Sequence, residues 1–191
     1  MAKISLKPGT LLSPLPAVMV SCGNGEEQNI ITIAWTGIVN SDPPMTYISV
    51  RKSRHSHKLI SETGEYVINL TTEKLLRAAD YCGVRSGRNV DKWKECSLTP
   101  ETPSSLKWAP VIKESPVNIE CKVTEIKELG SHHMFLANVQ AVQADEEFLN
   151  KQNKFELNKT GLIAYSHGEY LNLGKKIGTF GHSVRKKKNR I

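Results

Sequence analysis

Apolar and polar residues alternate in short runs along most of the chain, and turn-forming residues separate these runs. A period of two places successive side chains on opposite faces of a strand, and β-branched residues favour that conformation. The pattern predicts strands over residues 17–22, 30–40, 45–50, 66–70, 117–126 and 134–144. It also predicts a closing hairpin formed by residues 161–165 and 170–173.

One short segment after the third predicted strand has the spacing of a helix. Residues 56–63 place Leu59 and Ile60 on one side, where they can face a core. Gly64 follows as a C-cap, because glycine adopts the left-handed conformation without a steric cost.

A second helix is predicted over residues 73–81, with Thr71 or Thr72 as its N-cap. Residues 82–116 then read as a glycine- and proline-rich excursion, which is too long for a simple connection and indicates a functional or covering segment. Many short strands with only two modest helices predict a mainly β fold, a barrel with appended helices, because a parallel sheet would need a helix between most strands.

The net charge of +7 is concentrated at one end of the chain. The last seven residues carry five cations, which leaves 7 − 5 = +2 on the rest. We therefore predict a domain over residues 1–184 and a solvated basic tail over residues 185–191. Since no recognition motif accompanies the tail, we expect no nucleic-acid partner. Since no apolar run approaches ~20 residues, we expect no membrane partner either.

Metal-ligand spacings are absent from the sequence. The four cysteines, Cys22, Cys82, Cys96 and Cys121, form no C-x-x-C pair, and the six histidines form no H-E-x-x-H motif. We expect no metal site, and free thiols that suit a reducing cytoplasm.

The stretch V-R-K-S-R-H-S-H-K-L-I, residues 50–60, concentrates hydrogen-bond donors and positive charge at a predicted strand-to-helix junction. A helix N-terminus attracts anions, so Ser53 or Ser56 as N-caps, together with Arg51, Arg54 or Lys58, could cradle a phosphate. The same residues could equally form a capped surface helix with solvated charges. The residues alone leave both interpretations open.

Other polar residues indicate binding of a ligand more than nucleophilic chemistry. His132 and His133 follow a glycine at a strand entrance, where they are either turn residues or polar groups that face a ligand at a barrel mouth. No serine lies in a nucleophile elbow and no carboxylate pair suggests hydrolysis. This combination favours a protein that holds a cofactor.

The order of the motifs resembles the flavin reductase-like, FMN-binding split-barrel family, and most closely its flavoredoxin and ferric reductase branch. The matching segments are N-I-I-T-I-A-W-T-G-I-V-N-S-D-P-P, I-S-V-R-K-S-R-H-S-H-K-L-I, G-E-Y-V-I-N-L, Y-C-G-V-R-S-G-R-N-V-D-K-W, S-P-V-N-I-E-C-K-V and G-S-H-H-M-F-L-A-N-V. The resemblance implies a six-stranded antiparallel split β-barrel of Greek-key type with a few short helices. It also implies a homodimer with FMN bound non-covalently near the subunit interface.

Carried over by position, the resemblance implies a set of cofactor contacts. The isoalloxazine would be lined by Thr32, Ile33, Ala34, Trp35 and Thr36, and its polar edge or the ribityl chain would be contacted by Asn40 and Ser41. The phosphate would be held by Arg51, Ser56, His57 and Lys58, and Ser49 and Val50 would also contact the cofactor. Cys82, Gly83 and the segment from Ser86 to Lys92 would close over it, with Lys92 as the best cationic candidate. His132 matches a histidine on the nicotinamide side.

The function that the resemblance implies is an NAD(P)H-dependent flavin or ferric reductase-type oxidoreductase. Hydride would pass from NAD(P)H to bound FMN, and electrons would continue to free flavin, ferric iron or a redox partner. The chain departs from the family pattern at Ser131 and Asn138, where aspartate and glutamate are frequent. These departures support an alternative, a flavoredoxin-like FMN-binding electron-transfer protein that receives electrons from a protein donor.

Overall fold

The fold, taken from a computed structural model, is described for residues 1–184, so the predicted tail at 185–191 lies outside the described residues. The strands are β1 (Leu15–Pro16), β2 (Val18–Gly23), β3 (Gln28–Ile33), β4 (Thr36–Ser41), β5 (Pro44–Val50), β6 (Glu65–Leu70), β7 (Pro100–Glu101), β8 (Val111–Ile112), β9 (Val117–Leu129), β10 (His132–Ala144), β11 (Ile163–Ser166) and β12 (Glu169–Asn172). The α-helices are α1 (His55–Thr63), α2 (Leu76–Val84) and α3 (Lys92–Glu95). Single 3₁₀ turns occupy Glu73–Leu75, Glu146–Phe148, Leu157–Lys159 and His182–Val184.

A seven-stranded antiparallel sheet forms the body, with the strand order β3-β2-β6-β9-β10-β5-β4. Its two edge strands, β3 and β4, are consecutive in the chain and are joined only by Ala34 and Trp35. The backbone N–H of Ser49 donates to the carbonyl of Trp35 at 2.8 Å, which holds this bend against β5. The sheet therefore curls until its edges meet, and it forms a barrel that is split at the bend.

The predicted mainly β, split-barrel class is confirmed. The strand count differs by one, because the single strand expected over residues 30–40 is two strands, β3 and β4. The predicted closing hairpin is β11–β12, and β1 joins it to form a separate three-stranded sheet.

The barrel interior is apolar, and α1 closes it. Val20, Tyr66 and Phe135 are fully buried there, and the predicted core residues Leu59 and Ile60 bring α1 into the same cluster. Gly64 ends the helix in the left-handed conformation, at φ 65°, as the sequence predicts. This packing fixes the start of α1 beside the split.

The second face of β2 and β3 is covered by α2 and by the excursion after it. Met19 and Ile30 are fully buried against Ala79, Cys82 and Ile112. The excursion over residues 82–116, which the sequence left as a covering or functional segment, supplies this cover with α3, β7 and β8.

Two predicted helix caps are wrong. Arg54, not a serine, precedes α1 in an extended conformation, and no side chain caps the helix. Ser56 lies inside the first turn and is buried, so its hydroxyl is directed at another partner. Thr72 also makes no capping bond, because the second helix begins as a 3₁₀ turn before it becomes α-helical at Leu76.

No helix within residues 1–184 combines the length and the apolar character that a bilayer span requires.

Candidate functional site

A cavity of about 750 Å³ opens at the split of the barrel. Strand β3 and the bend at Trp35 form one wall, and the end of β5 with the start of α1 forms a second. The end of α2 and the residues that follow it form a third wall, and the β11–β12 hairpin contributes two tyrosines. This volume is typical of a pocket for a cofactor-sized molecule.

Lys92 brings a buried positive charge to the cavity wall. Its side chain is buried, and its ammonium donates to the carbonyls of Ile30 at 2.6 Å and Cys82 at 2.8 Å. Burial lowers the pKa of Lys92. Within residues 1–184 no carboxylate lies in ion-pairing range of this ammonium, and one of its three N–H donors has no protein acceptor. A buried cation that has no carboxylate partner favours an anionic ligand.

Two hydrogen bonds tie the walls of the cavity together. The Asn29 amide donates to the Ser56 hydroxyl at 2.8 Å, which connects β3 to α1. The Arg88 guanidinium donates to the Ser53 carbonyl at 3.3 Å, which connects the loop after α2 to the loop before α1. Gly87 packs so closely on Asn29 that a Cβ there would lie 2.1 Å from the amide oxygen. The backbone of this loop can approach Asn29 only because residue 87 is glycine.

Four arginines line the same cavity, namely Arg51, Arg54, Arg85 and Arg88. None of them forms an ion pair within the described part of the chain. Burial lowers the pKa of His132, and the positive charges of Arg51 and Arg54 lower it further. Within residues 1–184, Asp80 is the one carboxylate in the cavity lining, against four arginines and Lys92, so positive charge exceeds negative charge in the cavity.

Aromatic rings supply the apolar part of the site. Trp35 stacks with His132 at a centroid distance of 6.1 Å and an interplanar angle of 15°, and 45% of Trp35 stays exposed. Tyr165 and Tyr170 pack edge to face at 5.6 Å, and the Tyr170 hydroxyl donates to Asp80 at 3.3 Å. Flat apolar faces next to unpaired cations suit a ligand that joins a planar ring system to a phosphate.

Within residues 1–184 no group of three or more His, Cys, Asp or Glu side chains is placed to hold a metal ion.

Most of the predicted contact residues line the cavity. These are Thr32, Ile33, Ala34, Trp35, Ser49, Val50, Arg51, Ser56, Cys82, Gly83, Ser86, Lys92 and His132. The structure therefore brings together residues from β3, β5, α1, α2 and β10 that the sequence could only group by family resemblance.

Three predicted contacts on β4 lie outside the cavity. The Thr36 hydroxyl donates to the Tyr47 carbonyl at 2.6 Å, so it connects β4 to β5. The Asn40 amide donates to the carbonyls of the β4–β5 turn at 3.0 and 3.1 Å, and Ser41 is exposed beside it. The chain turns away from the pocket after Trp35. The predicted contacts up to Trp35 therefore line the cavity, and those on β4 do not.

Two predicted phosphate contacts on α1 also lie outside the cavity. His57 turns towards the barrel, where its Nε2 lies 3.0 Å from Nδ1 of His133. Lys58 is exposed and pairs with Glu62 one turn later at 3.6 Å. Residues that follow Ser56 in a helix point about 100° apart, so they cannot share its direction.

Several lining residues were missed by the sequence-based prediction of contacts, namely Ala17, Asn29, Arg85, Tyr165 and Tyr170. A local signal existed for Asn29, a polar residue at the start of the apolar run I-I-T-I. The two tyrosines had no local signal, because only the separate β1–β11–β12 sheet carries them to the split.

A barrel split between consecutive edge strands, with a cation-rich pocket at the split, defines the class of flavin reductase-type split barrels. The profile of the family described as flavin reductase like domain matches residues 11–174. The chain belongs to this family.

Solved structures place it more finely. Flavoredoxin of Desulfovibrio vulgaris is 30% identical, with a TM-score of 0.88, and the match covers 96% of this chain and 100% of that one. Flavoredoxin from Methanosarcina acetivorans is 27% identical, with a TM-score of 0.87 over 97% and 100% of the two chains. An uncharacterized protein of Pyrococcus abyssi is 34% identical over 137 residues, 72% of this chain and 78% of its own. The resemblance to the flavoredoxin branch is confirmed.

Proposed function

We propose that this protein binds FMN non-covalently in the cavity at the split and acts as an oxidoreductase. The observation that carries the proposal is the buried, unpaired ammonium of Lys92 among arginines in a pocket that also presents the Trp35 and His132 rings. A phosphate monoester carries close to two negative charges at neutral pH, which matches the uncompensated cations. Bound FMN would supply the redox chemistry, taking up hydride and passing electrons to an acceptor.

The residues of the chain would bind and orient this cofactor. Arg51, Arg54, Arg88 and the Ser56 hydroxyl are the candidates for the phosphate, with Lys92 as a fixed positive charge. The ring system would rest against the β3 segment that ends at Trp35. This assignment keeps Arg51 and Ser56 from the sequence-based prediction and replaces His57 and Lys58, which face elsewhere.

The electron donor that we propose is NAD(P)H, with free flavin, ferric iron or a redox protein as the acceptor. Supporting this choice, His132 lines the cavity and is held in place, since its Nδ1 lies 2.9 Å from the Ser131 hydroxyl. The same serine stands where the family often has aspartate, and this departure favours a second candidate, an electron-transfer protein with a protein donor.

Cofactor binding can be tested with one double variant and one matched control. Ser56→Ala with Arg51→Ala removes a hydroxyl and a charge from the cavity, so we expect FMN to bind roughly tenfold or more weakly. Ser41→Ala, which changes a predicted contact that lies outside the cavity, should keep the wild-type affinity. Titration of the apoprotein with FMN by fluorescence measures both, and an unchanged affinity in the double variant would refute the assignment.

The donor can be tested by anaerobic mixing of the FMN-loaded protein with NADH or NADPH. In a reductase, the oxidised-flavin absorbance at about 450 nm disappears during the mixing experiment. Full absorbance after long incubation, with rapid bleaching by a chemical reductant, would instead support the electron-transfer protein.

We further propose that the protein is a homodimer of the cytoplasm. Ile38 on the edge strand β4 is 90% exposed and Val142 on β10 is 58% exposed, so apolar surface remains for a second copy to cover. Light scattering of the purified protein tests the assembly, and a monomer mass would contradict it.

The cytoplasm is the compartment that we propose because four unpaired cysteines suit a reducing environment. The expected absence of nucleic-acid and membrane partners stays a prediction.

A further inference from the structure

Two cysteine side chains from separate helices meet next to the cavity. The sulfur of Cys82, in the last turn of α2, lies 3.9 Å from the sulfur of Cys96, which directly follows α3. Cys82 is fully buried, whereas Cys96 is partly exposed. Both are free thiols in this structure, and neither of the remaining cysteines, Cys22 and Cys121, has a second sulfur within bonding range in residues 1–184.

The same two residues hold Lys92 through their backbones. The carbonyl of Cys82 accepts from the Lys92 ammonium at 2.8 Å, and the N–H of Cys96 donates to the Lys92 carbonyl at 3.1 Å. The pair therefore encloses the residue that brings the buried charge to the cavity.

The chain between the two cysteines forms one wall of the pocket and contains the last two residues of α2, the four-residue helix α3 and no strand. Residues 83–95 include a large share of the cavity lining, namely Gly83, Val84, Arg85, Ser86, Gly87, Arg88 and Lys92. A link between the two ends of this wall would restrict how far it can move away from the cavity.

We propose that Cys82 and Cys96 are an oxidative modification site, at which a small-molecule disulfide converts them to an intramolecular disulfide that closes residues 83–95 into a ring. The modification itself follows from the sulfur geometry alone. Its consequence, slower release of FMN, rests on the proposed function.

The reaction balances with a disulfide such as oxidised glutathione as the oxidant. The Cys96 thiolate, the more accessible of the two, attacks one glutathione sulfur and releases the other as a thiolate. Cys82 then attacks the Cys96 sulfur of the mixed disulfide and releases the second glutathione. Two protein S–H bonds break, one S–S bond forms, and the two electrons and two protons leave on two glutathione thiols.

Burial sets the expected rate of this reaction. It raises the pKa of Cys82 to about 12 and also raises the pKa of Cys96. Few thiolates are present at neutral pH, so oxidation should be slow there and faster in alkaline buffer. Since bonded sulfurs lie about 2 Å apart, only small side-chain movements are needed.

Peptide mass spectrometry after incubation with oxidised glutathione tests the modification, with free thiols blocked by alkylation at the end. We expect one cross-linked peptide pair that contains Cys82 and Cys96, while Cys22 and Cys121 are recovered alkylated as internal controls. Cys96→Ser should yield no such pair. An uncrosslinked native protein, or links that involve Cys22 or Cys121 instead, would overturn the proposal.

The effect on the pocket is measured on the same samples after loading with FMN. Release followed by flavin fluorescence should be at least about threefold slower for the oxidised wild type than for the reduced protein, because its pocket wall is tethered. Cys96→Ser should release FMN at the same rate with and without prior incubation with oxidised glutathione. Equal rates for the oxidised and reduced wild type would refute the tethering effect. A protein that forms the disulfide but never binds FMN would refute the proposed function while the modification site stands.

Discussion

At the scale of single residues, the contact between Gly87 and Asn29 is the tightest constraint on the pocket. A Cβ on residue 87 would lie 2.1 Å from the Asn29 amide oxygen and 2.6 Å from its Cγ, well inside contact distance. Asn29 is buried and already donates to Ser56, so it cannot move aside without loss of that bond. The smallest possible side chain at residue 87 therefore disturbs two walls of the site.

We predict that Gly87→Ala weakens FMN binding roughly tenfold, equivalent to about 1.4 kcal/mol. The reason is displacement of the Asn29 amide and of the Ser56 hydroxyl that it orients. Fluorescence titration of the apoprotein measures the loss. Gly174→Ala is the matched control, because nothing lies within 4 Å of its added Cβ, and its affinity should equal that of the wild type. Wild-type affinity in Gly87→Ala would show that Asn29 does not organise the site.

The phosphate-cradle motif shows what a sequence can and cannot reveal at this scale. Residues 50–60 identified the correct junction, and Arg51 and Ser56 do line the cavity. The motif could not show which side chains of the helix face the cavity, since that depends on where α1 begins. The helix begins at His55, after Arg54, and not at a serine cap. Nor could it include Arg88, whose bond to the Ser53 carbonyl exists only after the chain between them has folded.

At the scale of elements, α1 is fastened to the barrel by a pair of histidines as well as by Leu59 and Ile60. Nε2 of His57 lies 3.0 Å from Nδ1 of His133, and the His57 ring meets Phe135 edge to face at 5.2 Å. Two rings that share one hydrogen bond cannot both be charged without repulsion. Burial lowers the pKa of His57, and the charges that face it act in addition: His133 and Lys52 lower the pKa, and Glu128 opposes them.

The sign of the resulting pH effect follows from this lowered pKa. The unfolded chain titrates at about the ordinary histidine value, 6.5, and binds the proton more readily than the folded state does. The stability that His57 contributes is therefore complete above pH 6.5 and is lost as the pH falls below it. We predict that urea unfolding shows lower stability at pH 5.5 than at pH 7.5 (both chosen about one unit from that value), and that His57→Gln reduces this dependence. His132, whose pKa is also lowered, contributes a loss of the same sign that remains in this variant.

His167→Gln is the control for the histidine experiment, since His167 is exposed in the β11–β12 turn. It should retain the wild-type difference between the two pH values. If His57→Gln keeps that difference as well, another group is responsible for the pH dependence.

Element boundaries were predictable wherever the pattern was local. The predicted strands at 45–50 and 66–70 and the helix at 56–63 differ from the observed elements by one residue at the N-terminal end. The break between β3 and β4 was not predictable, because the apolar run I-I-T-I-A-W-T-G-I-V continues through it. The bend at Trp35 accepts a hydrogen bond from the backbone N–H of Ser49, in a strand that follows later in the sequence, so its contact is not local.

At the scale of the whole molecule, two buried carboxylates hold the excursion over residues 82–116 on the barrel. Glu65 accepts from the backbone N–H groups of Lys107 and Trp108 at 2.9 and 2.8 Å, and from the Lys122 ammonium at 2.8 Å. Burial acts to raise the pKa of Glu65, but these hydrogen bonds outweigh it and lower the pKa. The sequence indicated a covering segment but could not identify its anchors, which lie on β6 and β9.

Glu120 on β9 is the second anchor, and it is fully buried. It accepts from the backbone and hydroxyl of Ser104 at 2.8 and 2.7 Å, from the backbone of Ser105 at 2.7 Å and from Gln143 at 2.7 Å. Every one of these partners donates, so both carboxylate oxygens must be acceptors. Burial acts to raise the pKa of Glu120, yet these bonds lower it below the ordinary value of 4.5.

We predict that Glu120→Gln lowers the free energy of unfolding by about 2–4 kcal/mol, because its amide N–H₂ would face other donors in a buried site. Glu125→Gln, an exposed change on the same strand, should leave stability unchanged. The wild type should also lose stability as the pH falls below 4.5, where the unfolded carboxylate binds protons before the folded one does, and Glu120→Gln should show a shallower loss. Urea unfolding of the three proteins at neutral and acidic pH measures both effects.

Because the anchored excursion also carries Lys92 and the wall between Cys82 and Cys96, the Glu120→Gln protein should release FMN faster than the Glu125→Gln protein. Equal stability and equal FMN release in these two variants would mean that residues 82–116 keep their place on the barrel without the hydrogen bonds of Glu120.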